Sequence, residues 1–345
     1  MSEKRTDVNT LGEFGLIDHL TQSTVRYHKE TIKGIGDDAA VLAPSDPLIV
    51  TSTDLLVEGI HFDLAYTPLK HLGYKSVIVN LSDIYAMNAI PVQITFSIAI
   101  SNRFSVEALE ELYEGIHLAC KNYKVDLVGG DTTSSPKGLY ISVTAIGQAR
   151  PDKIVYRSGA RPGDLICVTG SLGGAYLGLQ LLEREKQIFE STPGIQPELG
   201  AKYSSLLGKQ LKPEARHDIV ETFHRMNLRP NAMIDISDGL SSEIMHICKQ
   251  SDTGALIEEK LVPIDPIATD LALEFNINPI TCALNGGEDY ELLFTISEND
   301  FERIKYLPSY YVIGEIRPAG EKTLLQTTGG KFVPLEAQGW QHLNS

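Results

Sequence analysis

Aspartate residues recur beside glycine or threonine at the ends of short apolar runs, and this pattern is the most informative chemical feature of the sequence. The five occurrences are Gly36-Asp-Asp38, Ser52-Thr-Asp54, Gly129-Gly-Asp131, Asp235-Ile-Ser-Asp238-Gly239 and Gly286-Gly-Glu-Asp289. A carboxylate at a strand end suits Mg²⁺, because this ion binds a few carboxylates and completes its octahedron with water and phosphate oxygens. One such aspartate is typical of a turn or a helix cap, but five of them favour a shared metal site.

The predicted helix over Tyr74–Met87 contributes a further acid. Ser76, Asn80 and Asp83 follow i, i+4, i+7 spacing and therefore share one stripe of this helix. If the stripe is buried, Asp83 needs a partner, and a metal ion is one candidate. A solvated helix face is the alternative interpretation.

Groups that could bind phosphate are fewer. The loop Gly170-Ser-Leu-Gly-Gly174 follows a predicted strand and either cradles phosphate with its N–H groups or forms only a tight turn. Arg157, Arg161 and Lys212-Pro-Glu-Ala-Arg216 offer cations for phosphate, with exposed solubilising charge as the alternative. Walker A, GxGxxG, GxSxG, HExxH and protein-kinase motifs are all missing from the sequence, which excludes the commonest nucleotide-binding machines.

A set of carboxylates that binds several Mg²⁺ ions is typical of phosphoryl transfer from ATP, because the metal ions neutralise both reactants and align them. Two other classes of protein fit the same pattern. One is a two-metal hydrolase, and the other is a regulatory module that binds a cation or senses a nucleotide. A kinase differs from both in needing separate groups for the nucleotide and for the acceptor.

The composition limits the class of protein further. The chain has 345 residues, 42% of them hydrophobic, which favours about two globular domains. Its 45 acidic and 30 basic residues give a net charge of −15, which argues against nonspecific binding to nucleic acid or to anionic membranes. Since no long apolar run or secretory signal is visible, we expect a cytoplasmic protein. The four cysteines lie far apart and are predicted to be reduced core residues: Cys120, Cys167, Cys248 and Cys282.

Residues 1–150 are predicted to form the first of two α+β domains. Apolar β-branched runs predict strands, namely Leu48 to Asp54, Ile94 to Ile100, Asp126 to Val128 and Tyr140 to Ile146. Pro68 is suited to the first turn of a long helix, because it has no N–H group. Ser105 is the predicted N-cap of another helix, whose apolar face is formed by Leu109, Leu112, Ile116 and Cys120.

A turn-rich stretch over residues 150–164 predicts the domain boundary, and residues 151–345 are expected to form the second domain. Strands are predicted at Leu165 to Val168, Met233 to Asp235 and Tyr290 to Ile296. A helix after the second of them has its apolar face formed by Leu240, Ile244, Ile247 and Cys248. The polar residues 185–212, which include Pro and Gly, are expected to be a mobile connection.

Taken in order, the motifs resemble those of the thiamine-monophosphate kinases, which belong to the aminoimidazole-ribonucleotide-synthetase-like ATP-binding superfamily. The matching motifs are Gly34-Ile-Gly-Asp-Asp-Ala-Ala-Val-Leu42, Ser52-Thr-Asp54 with His61-Phe62, Asn80-Leu-Ser-Asp83, Gly129-Gly-Asp-Thr-Thr133, Arg157-Ser-Gly-Ala-Arg-Pro-Gly-Asp164, Ile234-Asp-Ile-Ser-Asp-Gly-Leu240 and Gly286-Gly-Glu-Asp-Tyr-Glu-Leu292. The resemblance extends from about Gly12 to Trp340. The Gly-Asp-Asp and Gly-Gly-Asp motifs are shared across the superfamily. His61 after Ser-Thr-Asp, and Gly-Gly-Glu-Asp-Tyr-Glu, are more particular to the kinases.

The resemblance implies a two-domain α+β fold of the aminoimidazole-ribonucleotide-synthetase type. Its N-terminal domain would contain a mixed or antiparallel sheet with helices, bind ATP and metal, and form a homodimer by joining sheets across a two-fold axis. Its C-terminal domain would be an α/β sandwich. The implied activity is direct in-line transfer of the γ-phosphate of ATP to thiamine monophosphate, dependent on several Mg²⁺ ions and without a phosphoenzyme. The product, thiamine diphosphate, would be formed in the last step of its biosynthesis.

The resemblance also implies roles for individual residues of this sequence. The predicted Mg²⁺ ligands are Asp38, Ser52, Thr53, Asp54, Asp83, Asp131, Asp235 and Asp238. The predicted ATP contacts are Gly130, Asp131, Arg157 and Ser237, and the predicted catalytic set is Asp54, Asp83, Asp131 and Arg157. His61, Glu288 and Trp340 would bind thiamine monophosphate. For the last two, we expect Glu288 to face the cationic part of thiamine and Trp340 to pack on its rings.

Other members of the superfamily provide the alternatives. Selenophosphate synthetase would have a reactive cysteine or selenocysteine near its N-terminus, but the first cysteine here is Cys120. The hydrogenase-maturation carbamoyl dehydratase ends in a reactive cysteine, whereas this sequence ends in His342-Leu-Asn-Ser345. An enzyme like aminoimidazole-ribonucleotide synthetase and a regulator that binds ATP without turnover remain as alternatives.

Overall fold

The computed structural model describes residues 6, 10–35, 40–192, 199–307 and 309–336, with the side chains of residues 12–14 left out. The chain divides into two compact units, one made of residues 1–84 and 89–152 and the other of residues 85–88 and 153–345. Both mix helices with sheets, which confirms the α+β prediction. No helix in the described parts of the chain is long and apolar enough to cross a membrane.

The first unit contains a four-stranded sheet and a short hairpin. The hairpin strands are β1 (Thr31–Lys33) and β2 (Val41–Leu42), and the sheet strands are β3 (Leu48–Val57), β4 (Ile90–Ile100), β5 (Asp126–Ser134) and β6 (Leu139–Ala149). The sheet has the order β3-β6-β4-β5, and only the β4–β5 pair is parallel among these described strands. The predicted strands therefore all form, and each is longer at one or both ends than its apolar run.

Burial alternates along these strands, because successive side chains of a strand point to opposite faces. In the inward row, Leu56, Ile141 and Ile98 lie beside one another and are almost completely buried. Helices α1 (Gly12–Thr21), α2 (Leu69–Ala86) and α3 (Val106–Tyr123) complete the unit. The inward face of the sheet packs against α2 and α3.

The helix α3 begins as predicted. Ser105 accepts a hydrogen bond from the Ala108 N–H at 3.3 Å through its side chain, as an N-cap does. The four predicted apolar residues of the helix, Leu109, Leu112, Ile116 and Cys120, are all buried. The helix α2 begins directly after Pro68, and its Ser76 and Asn80 are completely buried, so this stripe is not a solvated face.

Two glycines allow α2 and α3 to approach until their backbones touch. A Cβ atom on Gly73 would lie 2.0 Å from the Leu112 carbonyl oxygen, and one on Gly115 would lie 1.9 Å from the Lys70 carbonyl oxygen. Real Cβ atoms do not come this close to backbone oxygens, so any other residue would force the helices apart. The close approach fixes α2, and with it the polar stripe that ends in Asp83.

We predict that Gly115→Ala lowers the free energy of unfolding by about 1–3 kcal/mol or more, because the added methyl group overpacks a backbone contact that cannot relax. Gly15→Ala on α1 is the control. Its nearest contact would be an ordinary 3.6 Å to Leu11 Cβ, so better helix propensity should raise stability by up to about 1 kcal/mol. Urea unfolding of both variants tests this, and equal effects would contradict it.

The second unit is built on a seven-stranded sheet with the order β13-β12-β9-β11-β7-β10-β8. Its strands are β7 (Leu165–Thr169), β8 (Ala232–Asp235), β9 (Gly254–Glu258), β10 (Leu292–Ile296), β11 (Tyr310–Arg317), β12 (Leu324–Gln326) and β13 (Phe332–Pro334). Its helices are α4 (Gly174–Ser191), α5 (Ser204–Leu211), α6 (His217–Arg225), α7 (Leu240–Ser251), α8 (Pro266–Glu274), α9 (Pro279–Asn285) and α10 (Glu298–Phe301). Among the described strand pairs of this sheet, only β9–β12 is parallel.

The central strands of this sheet are covered on both faces, as in an α/β sandwich. Ile234, Leu293 and Val168 form one row and belong to a buried cluster with the apolar face of α7. The next row faces the other way, and its Phe294 packs edge-on against Phe223 of α6 with ring centroids 5.3 Å apart. Both faces are therefore buried, which explains why β7, β8 and β10 consist mostly of apolar residues.

Two details of the second unit bear on the sequence predictions. The expected connection over residues 185–212 was wrong for its described part, because α4 continues to Ser191 and α5 occupies Ser204–Leu211. The apolar residues of α5 pack against α4. Their helical spacing was not recognised in the sequence, because most of the segment is polar. All four cysteines of the chain are free and buried, as predicted.

Candidate functional site

In the first unit, the structure brings together three of the predicted metal ligands. Ser52 and Asp54 lie on the inward face of β3, where α2 places Asp83. The Ser52 hydroxyl donates a hydrogen bond to Asp83 Oδ2 at 2.5 Å. The Asp54 backbone N–H donates to Asn80 Oδ1 at 3.0 Å, so the polar stripe of α2 also fixes the main chain of this strand.

The electrostatics of this cluster suit a cation. Burial raises the pKa of Asp54 to about 6, and the nearby negative charge of Asp83 contributes in the same direction. A bound cation would oppose both effects, because a nearby positive charge favours the ionised carboxylate. No group of three or more His, Cys, Asp or Glu side chains in the described parts of the chain is arranged to hold a metal ion by itself. Two carboxylates and a hydroxyl nevertheless fit Mg²⁺, which takes few protein ligands and completes its shell with water and phosphate.

Two other predicted ligands of the first unit lie on the opposite, outward face of the sheet. The Thr53 hydroxyl donates to the Val143 carbonyl oxygen at 2.9 Å and accepts from the Thr144 hydroxyl at 3.1 Å. Asp131 is exposed on β5. It belongs to a row of cross-strand neighbours that continues through β4 and β6 to Leu55 on β3, so its side chain lies on the same face as that of Leu55. It is therefore three strands away from β3, about 14 Å. Metal binding by Thr53 stays a prediction.

Gly130 and His61 are held by backbone contacts. A Cβ atom on Gly130 would lie 1.8 Å from the Phe96 carbonyl oxygen, so only glycine fits at this position of β5. His61 lies in the turn after β3, where its Nδ1 accepts a hydrogen bond from the Val57 N–H at 3.0 Å. That bond places the proton of a neutral ring on Nε2.

Asp126, at the start of β5, is an acid whose role the sequence reasoning missed. It is almost completely buried and accepts hydrogen bonds from the Tyr27 N–H at 2.5 Å and from the Thr31 hydroxyl at 2.6 Å. These bonds anchor the chain that leads into the Gly-Asp-Asp motif. The signal available in the sequence was a lone aspartate at the start of an apolar strand, which a turn former explains equally well.

In the second unit, the loop after β8 carries Asp235, Ser237 and Asp238. Asp235 is buried at the strand end, and the other two are half-buried in the turn before α7. Glu243 on α7 reaches back to this turn and accepts a hydrogen bond from the Asp238 N–H at 2.9 Å. The charge of Arg157, an exposed residue, acts on the same carboxylate. The structure therefore brings Arg157 close to the Ser237–Asp238 turn.

Glu243 is the second residue that the sequence reasoning missed. It is buried, and burial raises its pKa to about 7, although the hydrogen bond from Asp238 and the charge of Arg157 act in the opposite direction. Its position one turn inside a helix that follows Asp-Gly resembles a capping box, in which an acidic residue binds an N–H group at the helix start. This spacing was visible in the sequence.

The loop between α9 and β10 carries Glu288 in a conformation that non-glycine residues rarely adopt. Its φ is +57°, and Tyr290 has a φ of +50°. Main-chain bonds hold both residues, since the Glu288 N–H donates to the Ser237 carbonyl oxygen at 2.7 Å and the Tyr290 N–H donates to that of Ile236 at 2.9 Å. The loop is therefore bound directly to the turn that carries Asp238.

The glycine-rich loop after β7 is a tight turn in this structure. Its Gly173 N–H donates to the Asp289 carboxylate at 2.6 Å, and the Ala175 N–H donates to the same side chain at 3.3 Å. The Leu172 N–H donates to the Pro263 carbonyl oxygen at 2.9 Å. These amides bind protein oxygens, which supports the tight-turn interpretation over the phosphate cradle.

Arg216 binds protein carboxylates, so neither interpretation of the basic motif over residues 212–216 describes it. Its guanidinium pairs with Glu291 at 2.7 Å and with Asp218 at 2.9 Å, and it is largely buried. Lys212 pairs with Glu214 at 2.8 Å near the surface. The glycine-rich loop and Arg216, which were both candidates for phosphate binding, therefore bind carboxylates of the Gly-Gly-Glu-Asp-Tyr-Glu segment instead.

Comparison with known proteins identifies the family. A thiamine-monophosphate kinase from Buchnera aphidicola subsp. Schizaphis graminum is 39% identical over 337 residues, which cover 96% of this chain and 98% of the relative. The chain belongs to the thiamine-monophosphate kinase family. Residues 36–149 also match the family described as AIR synthase related protein, N-terminal domain.

Solved structures of the thiamine-monophosphate kinase family have the same fold. The enzyme from Stenotrophomonas maltophilia superposes with a TM-score of 0.77 at 31% identity, covering 93% of this chain and 98% of that one. A structure of AaThiL complexed with AMPPCP and TMP superposes with a TM-score of 0.74 at 32% identity, covering 99% and 100%. The fold class predicted from the family resemblance is therefore correct.

Two predicted site residues of this family member, Asp38 and Trp340, lie outside the described residues. In the first unit, Ser52, Asp54 and Asp83 come together on the inward face of the sheet, whereas Thr53 and Asp131 lie on its outward face. His61 lies in the turn after β3, and Gly130 is part of β5. In the second unit, Ser237, Asp238 and Glu288 lie on turns that are hydrogen-bonded to each other. The ligand assignments of all of them stay predictions.

Asp289 should give the protein a measurable pH dependence of stability. Burial raises its pKa from an ordinary value of 3.8 to about 6, so between these values the folded state keeps a proton that the unfolded state has released. The contribution of this group to stability is therefore present below pH 4 and is lost as the pH rises through 6.

We predict that Asp289→Asn removes this loss while keeping one oxygen for the Gly173 N–H. The free energy of unfolding of the variant, relative to the original protein, should rise by on the order of 2 kcal/mol between pH 4 and pH 7. Urea unfolding across this range measures it, with the exposed Asp270→Asn as the control for the rest of the molecule. A difference that does not change with pH would contradict the prediction.

Proposed function

We propose that this protein transfers the γ-phosphate of ATP to thiamine monophosphate, giving thiamine diphosphate and ADP. The observation that carries the proposal is the similarity to AaThiL complexed with AMPPCP and TMP, which extends over 99% of this chain. AMPPCP is an analogue of ATP in which a methylene group replaces the bridging oxygen between the β- and γ-phosphates. A kinase with this specificity must bind a nucleotide and thiamine phosphate at the same time.

The chemistry requires positioning more than proton transfer. The acceptor is a phosphate oxygen that is already ionised at neutral pH, so no side chain has to act as a general base. The protein has to bring two anions together and hold them in line. In a chain with a net charge of −15, this demands compensating positive charge at the site.

Mg²⁺ would supply that charge, by neutralising the phosphates and stabilising the charge of the transition state. In the first unit, Ser52, Asp54 and Asp83 would hold it, and their shared inward face and the raised pKa of Asp54 support this assignment. The further ligands proposed on the family pattern are Asp38, Thr53, Asp131, Asp235 and Asp238.

The nucleotide and the acceptor would have separate groups. Gly130, Asp131, Arg157 and Ser237 would contact ATP, with Arg157 as a cation for its phosphates. His61, Glu288 and Trp340 would bind thiamine monophosphate. Glu288 would face the cationic thiazolium ring, and its rigid loop supports a binding role, since strained residues concentrate at functional sites.

We further propose that residues 1–150 form the ATP- and metal-binding domain and that two copies pair through it. Among the described strands, β3 pairs only with β6, so one edge of a ten-residue strand is open. Ile49 and Leu55 on its outward face are half exposed. A long apolar edge strand is a surface on which another strand pairs.

The first experiment is to incubate the protein with ATP, Mg²⁺ and thiamine monophosphate and to measure thiamine diphosphate and ADP by chromatography. We expect the two products in equal amounts, and none when EDTA removes the metal. Free thiamine and an aminoimidazole-pathway substrate serve as acceptor controls. ATP hydrolysis without thiamine diphosphate would overturn the proposal.

Asp54→Asn should reduce this turnover roughly a hundredfold or more, because it removes a charged oxygen from the proposed metal site. Asp18→Asn, an exposed residue of α1, is the matched control and should keep full activity. Equal activity of both variants would remove Asp54 from the catalytic set.

Glu288→Gln should raise the KM for thiamine monophosphate roughly tenfold and leave the KM for ATP within twofold, because only the first substrate carries a cationic ring. The exposed Glu298→Gln in the same unit is the control. Equal increases in both KM values would contradict the assignment of Glu288 to the thiamine site.

A further inference from the structure

Helix α5 and Arg216 form hydrogen bonds that hold the loop of residues 286–291 in place. The proposed substrate contacts do not include α5 or Arg216. We propose that Gln210 on α5 is a positioning residue, which orients the Glu288 carboxylate for the cationic ring of thiamine monophosphate. This inference rests on the proposed function, because it assigns a purpose to the orientation of Glu288.

The loop needs external support, because its own conformation is unfavourable. Glu288 and Tyr290 both have positive φ angles, which cost a non-glycine residue on the order of 1 kcal/mol or more each. Gly287, between α9 and Glu288, also has a positive φ, and a Cβ atom there would lie 2.4 Å from the Ser237 carbonyl oxygen. Such a loop keeps one shape only if the surrounding groups hold it.

Contacts at both ends of the acidic segment provide this support. At Glu288, the Gln210 Nε2 donates to Oε2 at 2.8 Å. At Glu291, Arg216 donates at 2.7 Å and the Thr169 hydroxyl at 2.7 Å, while Lys209 lies at 3.4 Å. The loop is therefore tied to strand β7, to the start of α6 and to two consecutive residues of α5.

The helix that carries Gln210 is itself rigidly placed. A Cβ atom on Gly178 of α4 would lie 2.4 Å from the Leu206 carbonyl oxygen, so the backbones of α4 and α5 touch. Leu206 is buried in a cluster with Leu177 and Leu181. Gln210 lies one turn after Leu206 and is almost completely buried. Its side-chain amide therefore has a fixed position, from which it can orient a hydrogen-bond partner.

The chemistry of the two supports differs in a way that suits a binding role for Glu288. Lys209 and Arg216 bring positive charge to Glu291, which serves the structure. Gln210 brings a neutral amide to Glu288, and an amide directs a carboxylate without cancelling its charge. The Gln210 amide therefore orients the Glu288 carboxylate without itself contributing a positive charge.

The test is a double-mutant cycle between Gln210 and Glu288. Gln210→Met keeps the length of the side chain but removes the donor, and should raise the KM for thiamine monophosphate roughly fivefold to tenfold, with kcat and the KM for ATP within twofold. In a Glu288→Gln background, the same change should add less than twofold. The exposed Gln187→Met on α4 is the matched control. Calorimetric binding of thiamine monophosphate without ATP gives a second readout that does not depend on turnover.

Each outcome is decisive. Equal changes in both KM values, or an effect of Gln210→Met that persists in the Glu288→Gln background, would show a purely structural role and overturn the inference alone. If the unmodified protein neither binds nor phosphorylates thiamine monophosphate, the proposed function falls and the inference with it. If Gln210→Met does not fold, Gln210→Asn takes its place in the cycle, because it keeps a neutral amide and withdraws the donor from Glu288 by one methylene group.

Discussion

A carboxylate that leaves water must receive hydrogen-bond donors, a cation or a proton, and this constraint organises both units of the molecule. Asp126, Asp289 and Glu291 are buried and receive donors from the protein, and burial also raises the pKa of Asp289 to about 6, so that it keeps a proton below that pH. Asp54 and Asp83 differ, because the charge of Asp83 adds to the cost of charging Asp54, and the Ser52 hydroxyl donates a hydrogen bond to Asp83. A bound cation would lower the cost of charging Asp54, which makes this pair the strongest candidate for a metal site.

Close backbone contacts give these acids fixed positions. The helices α2 and α3 touch at Gly73 and Gly115, and α2 carries Asp83 to the strand that holds Asp54. In the second unit, the turn before α7 and the loop before β10 exchange main-chain hydrogen bonds, so Asp238 and Glu288 are held by one framework. In both units the side chains proposed for the site thus stand on segments whose main chain has little freedom, as alignment of two phosphates would require.

Much of this arrangement could be predicted from the sequence. The β-branched runs predicted the strands, and Ser105 predicted the start of α3, because these features act over a few residues and leave a local pattern. The partners of Asp289 and Arg216 could not be predicted, since the glycine loop and Glu291 that bind them lie more than 70 residues away in the chain. The helical character of residues 204–211 was also missed, because its stability comes from packing against α4.

The sequence by itself determined which residue types are available for chemistry, in what order they occur and to which family they belong, because motif spacing survives without coordinates. Only the tertiary structure decided which of the acids stand together. Ser52 and Thr53 are neighbours in the chain, yet the two-residue period of a strand sends one toward Asp83 and the other to the opposite face. Strand order places two strands, β6 and β4, between Asp131 and Asp54 in the same sheet. These distances depend on pairing between segments far apart in the chain, which no local pattern records.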